Sequence, residues 1–143
     1  MKLSPTFRTL LILCFNLLVM LPAIAATTVD LPAEKTQGSV SYISGGVGKE
    51  EASAMRSAQT GYPLSMEFVQ HARPHNEFVA QVKVDIKKRH GESVLNIDSE
   101  GPFLLVKLPD GKYTVTVDFA GHTQTRHVAV SEKKHRHLTF VWK

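Results

Sequence analysis

Over most of its second half the chain alternates apolar and polar residues with a period of two, the pattern of strands that bury one face and wet the other. Leu64, Met66 and Phe68 enclose Ser65 and Glu67. Phe78, Ala80, Val82, Val84 and Ile86 alternate with Gln81, Lys83, Asp85 and Lys87, and Tyr113, Val115 and Val117 with Thr114 and Thr116. Ahead of these runs, Val40 and Tyr42 begin a short strand that Ser44-Gly45-Gly46-Val47-Gly48 interrupts. There the period changes. Ala54, Met55 and Ala58 recur at helical spacing, Glu50 and Glu51 stand in the first turn, Arg56 stands late and Gly61 follows, which predicts one short helix near residues 48–60. His71 to Glu77 reads as a polar loop. Ser93 to Ser99, Lys112 to Phe119, Thr123 to Val130 and His135 to Trp142 read as further strands.

Phe103 to Leu108 and Lys112 to Val117 flank Pro109-Asp110-Gly111. Proline presets φ at the first central turn position and glycine accepts a left-handed backbone, so the two runs are expected to form a hairpin. Leu104, Val106 and Leu108 would then oppose Tyr113, Val115 and Val117. Short strands at this spacing, with a single helix, predict an all-β antiparallel sandwich of about seven strands.

The first residues carry a different pattern. Lys2 and Arg8 precede an apolar stretch from Leu10 to Leu21, and Ala23-Ile24-Ala25 gives a small-x-small site before Ala26. This predicts a signal peptide over 1–25, cleavage between Ala25 and Ala26, and a periplasmic or secreted mature chain. A spanning helix needs about 20 apolar residues. This run is shorter, is broken by Asn16 and ends at Pro22, so no transmembrane segment is expected in the mature chain. Cys14, the only cysteine, leaves with the leader, and the fold must stand without disulfides in a compartment that permits them. Residues 26–38 read as an extended lead-in, with order starting near Ser39 and one domain over 39–143.

Charge follows the same division. Without Lys2 and Arg8, the 17 basic against 13 acidic residues become 15 against 13, and the net charge falls from +4 to about +2. An excess this small does not make the basic stripe of a nucleic-acid binder, and no nucleic-acid partner is expected.

The succession Val79-Ala80-Gln81-Val82-Lys83-Val84-Asp85-Ile86, then Gly91, Gly101-Pro102, Leu108-Pro109-Asp110-Gly111-Lys112-Tyr113-Thr114-Val115 and Gly121 resembles the carboxypeptidase regulatory-like domain over about residues 62–142. The front half, with Tyr42-Ile43-Ser44-Gly45-Gly46-Val47-Gly48 and its helix, resembles small exported single-domain proteins of Gram-negative bacteria. The resemblance implies a transthyretin-like Greek-key sandwich. It implies no catalytic residues, because the shared Leu-Pro-x-Gly-x-Tyr element serves turn formation and packing. A transthyretin-like enzyme that hydrolyses 5-hydroxyisourate ends in Tyr-Arg-Gly-Ser, whereas this chain ends Leu138-Thr139-Phe140-Val141-Trp142-Lys143, so that activity does not carry over.

Candidate chemistry is sparse. Gly45-Gly46-Val47-Gly48-Lys49 invites comparison with a phosphate loop, yet Ile43 falls where the first glycine belongs and Glu50 where the magnesium-binding hydroxyl belongs. Of seven histidines, His135 and His137 share one strand face and are the candidate metal ligands, with His71, His75, His122 and His127 as further suppliers. Their neighbours Lys133, Lys134 and Arg136 oppose a cation. Lys87-Lys88-Arg89-His90 and Lys133 to His137 both lie at turns and would form a positive patch if they met at one end of the sandwich. No Gly-x-Ser-x-Gly elbow occurs and the one thiol is lost with the leader, so no nucleophile, cofactor or enzymatic activity is expected. The expectation is a non-catalytic periplasmic module that contacts a protein or envelope component. The alternative is a periplasmic metal-binding protein using its surface histidines.

Overall fold

In the computed structural model, which describes residues 30–143, the alternating segments become ten strands in two facing sheets. The expected leader, Cys14, the Ala25–Ala26 cleavage site and residues 26–29 of the lead-in lie outside the described residues. One sheet runs β1 (Lys35–Gln37), β2 (Val40–Gly45), β7 (Phe103–Lys107), β3 (Leu64–Gln70) and β10 (Arg136–Trp142), with β4 (Glu77–Phe78) on the end of β3. The other runs β6 (Ser93–Asp98), β5 (Lys83–Lys88), β8 (Gly111–Phe119) and β9 (His122–Val130). Leu64, Met66, Phe68 and Phe140 meet Val84, Ile86, Val115 and Val117 in the interior between the sheets.

The expected helix forms as α1 (Lys49–Ala58), followed by a 3-10 turn at Gln59–Gly61. It lies outside the sandwich, where Ala52 and Met55 pack with Ile43, Phe103 and Leu105 on the outer face of the first sheet. This second cluster explains why β7 does not alternate. Phe103, Leu104, Leu105 and Val106 are all buried, two against the helix side and two against the main core.

Four expectations change. Pro109-Asp110-Gly111 does not close a hairpin: β7 pairs with β2 and β3, whereas β8 pairs with β5 and β9. The turn carries the chain from one sheet to the other, and the two apolar faces oppose each other across the core. The Tyr113 hydroxyl donates to the Pro109 carbonyl at 2.9 Å and pins this corner. The sandwich is also not antiparallel throughout, because β10 crosses from the second sheet to run parallel to β3, from Arg136 opposite Leu64 to Trp142 opposite Gln70.

The run from Phe78 to Ile86 is two elements. Phe78 pairs beside β3, and β5 begins only at Lys83. Between them Gln81 takes φ 58°, its amide donates to the Ser99 carbonyl at 2.8 Å, and the Val82 amide donates to Ser99 Oγ at 3.0 Å. Burial changes phase at this point, with Phe78 exposed and Val79 buried ahead of Val82 and Val84, whereas the sequence alternates without a break and so reads as one strand.

Finally, order begins before Ser39. Lys35 to Gln37 pair with Val40 to Tyr42, and Glu34 accepts from Lys107 at 2.8 Å. Gln37 then donates to the Asn96 carbonyl at 3.1 Å and accepts from the Asn96 amide at 2.6 Å, which occupies the free edge of β6. On the opposite flank Gln124 donates to the Val141 carbonyl at 2.9 Å and the Trp142 indole to the His122 carbonyl at 2.7 Å. Both flanks are thus bridged by side chains, one way of keeping strand edges from pairing with strangers.

The registers sort the connections to two ends. Lys88 opposite Tyr113, Gly111 opposite Val130 and Arg136 opposite Leu64 bring three turns together at one end. Gly45 opposite Phe103 and Val69 opposite Phe78 place the glycine loop, β4 and Pro102 at the other.

Candidate functional site

The two basic segments meet. The Arg89 amide donates to the Lys112 carbonyl at 3.1 Å, the Glu132 amide to Asp110 Oδ1 at 2.6 Å, and the Lys134 amide to the Ser131 carbonyl at 3.1 Å. These bonds tie the β5–β6, β7–β8 and β9–β10 turns into one surface carrying Lys87, Lys88, Arg89, His90, Lys112, Lys133 and Lys134. Lys87 pairs with Asp85 at 3.2 Å and Lys88 with Glu92 at 3.1 Å. Arg89, Lys112, Lys133 and Lys134 are exposed and, among the described residues, have no carboxylate at ion-pair distance. Arg89 and Lys112 flank a shallow depression of about 480 Å³ floored by Thr114 and His127 of the second sheet. The arrangement can attract and hold an anionic surface. Lys112 belongs to neither basic run and was not singled out in the sequence; the bond from Arg89 brings it in.

His135 and His137 also come together, around a residue that sequence spacing did not mark. His137 Nδ1 lies 2.8 Å and His135 Nε2 3.2 Å from Ser65 Oγ, with the rings 6.4 Å apart. His135 Nδ1 is 2.7 Å from the Tyr62 carbonyl, so it carries the proton. In the neutral ring Nε2 then accepts from the Ser65 hydroxyl, and His137 Nδ1 donates to the same oxygen. His137 Nε2 faces Thr139 Oγ1 at 3.2 Å and Glu67 Oε2 at 3.5 Å, and Glu67 lies 3.9 Å from Arg56. This network fastens β10 to β3.

The set of a serine, a histidine and an acid does not present a nucleophile. Ser65 is 1% exposed and its oxygen is held between two imidazoles. His71 Nδ1 instead contacts Asn76 and His127 Nδ1 contacts Thr114. Among the described residues no three His, Cys, Asp or Glu side chains are grouped to hold a metal ion.

The glycine loop is occupied by the chain itself. Glu51 reaches back from the third position of α1 to accept from the Gly46 amide at 2.6 Å and the Val47 amide at 3.4 Å. Those donors are the ones a phosphate would need, and an internal carboxylate already satisfies them. Two phenols, buried Tyr113 and partly buried Tyr62, flank the basic end: desolvation raises both above the usual tyrosine range, with Lys88 and Lys107 respectively opposing the shift.

Among the described residues no helix is long and apolar enough to cross a membrane. Compared with known proteins, the chain matches no family model and no curated protein.

Proposed function

We propose that this chain is a non-catalytic interaction module of the periplasmic or secreted space, a transthyretin-like sandwich of the carboxypeptidase regulatory-like type that docks an acidic envelope component on its basic end. The observation that carries this reading is the convergence of three turns, tied by the Arg89 amide on the Lys112 carbonyl and the Glu132 amide on the Asp110 carboxylate, with Arg89, Lys112, Lys133 and Lys134 outside any internal ion pair among the described residues. Cations on turns also serve to keep sheet edges apart. Here Gln37 and Gln124 bridge the flanks where edge strands lie, and the cations gather on the end instead. Attraction of this kind weakens as salt rises, because the screening length is about 8 Å at physiological ionic strength. The alternative, a metal-binding protein using His135 and His137, would require Ser65 to release both imidazoles and a third ligand to be recruited.

The test compares phosphatidylglycerol with phosphatidylcholine vesicles as probes, for the wild-type chain and for Arg89→Ser with Lys112→Ser, Lys133→Ser and Lys134→Ser. Binding to the anionic vesicles alone, declining with salt and reduced at least tenfold in the variant, is expected. Equal binding by the variant, or no preference for the anionic surface at low salt, would overturn the reading.

A further inference from the structure

The end opposite the basic turns carries a surface of another kind. Among the described residues three large hydrophobic side chains are exposed: Val47 at 64%, Phe78 at 48% and Val141 at 46%. The first two line the same groove, of about 530 Å³, between the Gly46–Lys49 loop and the segment from Phe78 to Ala80. That volume takes a drug-sized ligand or a few residues of peptide.

Its charge is one-sided. Lys49 and Arg56 line it and no carboxylate does, because Glu51, in the same first turn as Lys49, is turned back onto the loop amides. The Arg56 guanidinium carbon lies 5.1 Å from the Phe78 ring centre and 5.2 Å from that of Phe103, with the rings 5.5 Å apart. The guanidinium is thus at cation–π distance from both rings. Glu67 Oε1 lies at ion-pair distance, 3.9 Å, but beyond hydrogen-bond distance, so the Arg56 N–H groups have no carboxylate bonded to them among the described residues and can meet one from a ligand. The loop wall is set by packing: Gly46, at φ 95°, lies so close to Phe103 that a Cβ there would sit 2.3 Å from the ring.

We propose that this groove binds the carboxyl-terminal end of a partner polypeptide whose last residue is apolar. The side chain enters between Val47 and Phe78, and the terminal carboxylate meets Arg56, with Lys49 adding long-range attraction. A chain terminus carries both features on one residue, matching an apolar slot with a cation inside it. Glu51 holds the Gly46 and Val47 amides and Ala52 the Gly48 carbonyl, but Ala80, between β4 and β5, has no main-chain hydrogen bond among the described residues, so that wall offers its peptide groups to a peptide ligand, whereas an alkyl tail would leave them unpaired.

The experiment follows amide chemical shifts of the whole mature chain while N-acetyl-Ala-Leu-Phe is added as the free acid or as its amide, with decanoate as a third probe. Saturable shifts at Gly46 to Lys49, Arg56 and Phe78 to Ala80 are expected with the free acid, and at least tenfold weaker binding with the amide. Arg56→Gln should abolish the preference for the acid, and Phe78→Ser should abolish binding of both; the spectra themselves report that each variant is folded. Equal binding of acid and amide, shifts confined to the basic end, binding of decanoate but not the peptide, or no shifts in the groove would each overturn the proposal.

Discussion

The two ends of the sandwich present surfaces built by opposite means. At one end three turns project lysines and an arginine, and two of these cations, Arg89 and Lys112, flank a shallow depression. At the other, a glycine loop and a two-residue strand frame an apolar groove in which one arginine lies at cation–π distance from two phenylalanine rings. The first surface is made of side chains that need nothing from one another, so single changes should leave the fold intact. The second depends on close backbone approaches, so changes there reach the core. The two proposed binding surfaces thus separate charge from shape within a domain of modest size.

Matched glycine substitutions should break this comparison most sharply. A Cβ at Gly101, on the groove end, would lie 2.2 Å from the Gly45 carbonyl oxygen, and Gly101→Ala should cost at least the upper part of the roughly 1–3 kcal/mol typical of overpacking. Gly91 at the basic end has φ 90° with nothing within 4 Å of its Cβ position, so Gly91→Ala should cost only conformational strain, about 1–2 kcal/mol. Urea unfolding midpoints measure both; equal losses would show that the groove end is no more tightly built than the turns.

Tyr113→Phe comes next, because it removes the hydroxyl that holds the sheet-crossing corner beside the basic turns. The loss should be about 1 kcal/mol at neutral pH. Burial raises the Tyr113 phenol, and a group whose pKa rises on folding contributes stability that is intact below its unfolded value and lost as pH climbs through the folded one. The wild-type chain should therefore lose stability above about pH 10, and Tyr113→Phe should make that decline shallower, with Tyr62 contributing the rest. An unchanged alkaline decline would contradict the assignment. The smallest effect on stability belongs to the fourfold serine variant of Arg89, Lys112, Lys133 and Lys134, within about 0.5 kcal/mol per site of no change. A large loss there would mean that the basic turns hold the fold together.

These ends were unequally readable in the sequence. Lys87 to His90 and Lys133 to His137 are contiguous runs at turns, so each was legible as a basic turn, whereas their meeting at one end, with Lys112 between them, depends on strand partners far apart in sequence. The groove was not legible, because Val47, Arg56, Phe78 and Pro102 are far apart in sequence and Phe78 fits the alternation of the strand that follows it. Turn chemistry behaved similarly. Pro109-Asp110-Gly111 marks the connection between two strands, but Gly111 does not take the left-handed backbone that a tight hairpin would give it, and the partners of β7 and β8 put the two strands in different sheets. Ser65 went unmarked for a related reason, since a serine between Leu64 and Met66 reads as the wet face of a strand until β10 lays two histidines over it. The lead-in strand Lys35-Thr36-Gln37 has no apolar residue at all and is held by pairing and by the Gln37 amide.

The central claim, that docking runs through the basic end, is tested most directly by mapping amide signal loss along the chain when phosphatidylglycerol vesicles are added at low salt. The account predicts losses concentrated at Lys88 to Gly91, Asp110 to Lys112 and Ser131 to His135, reversed by salt. Uniform losses along the chain, or losses centred on Val47 and Phe78 with the turns unaffected, would contradict it.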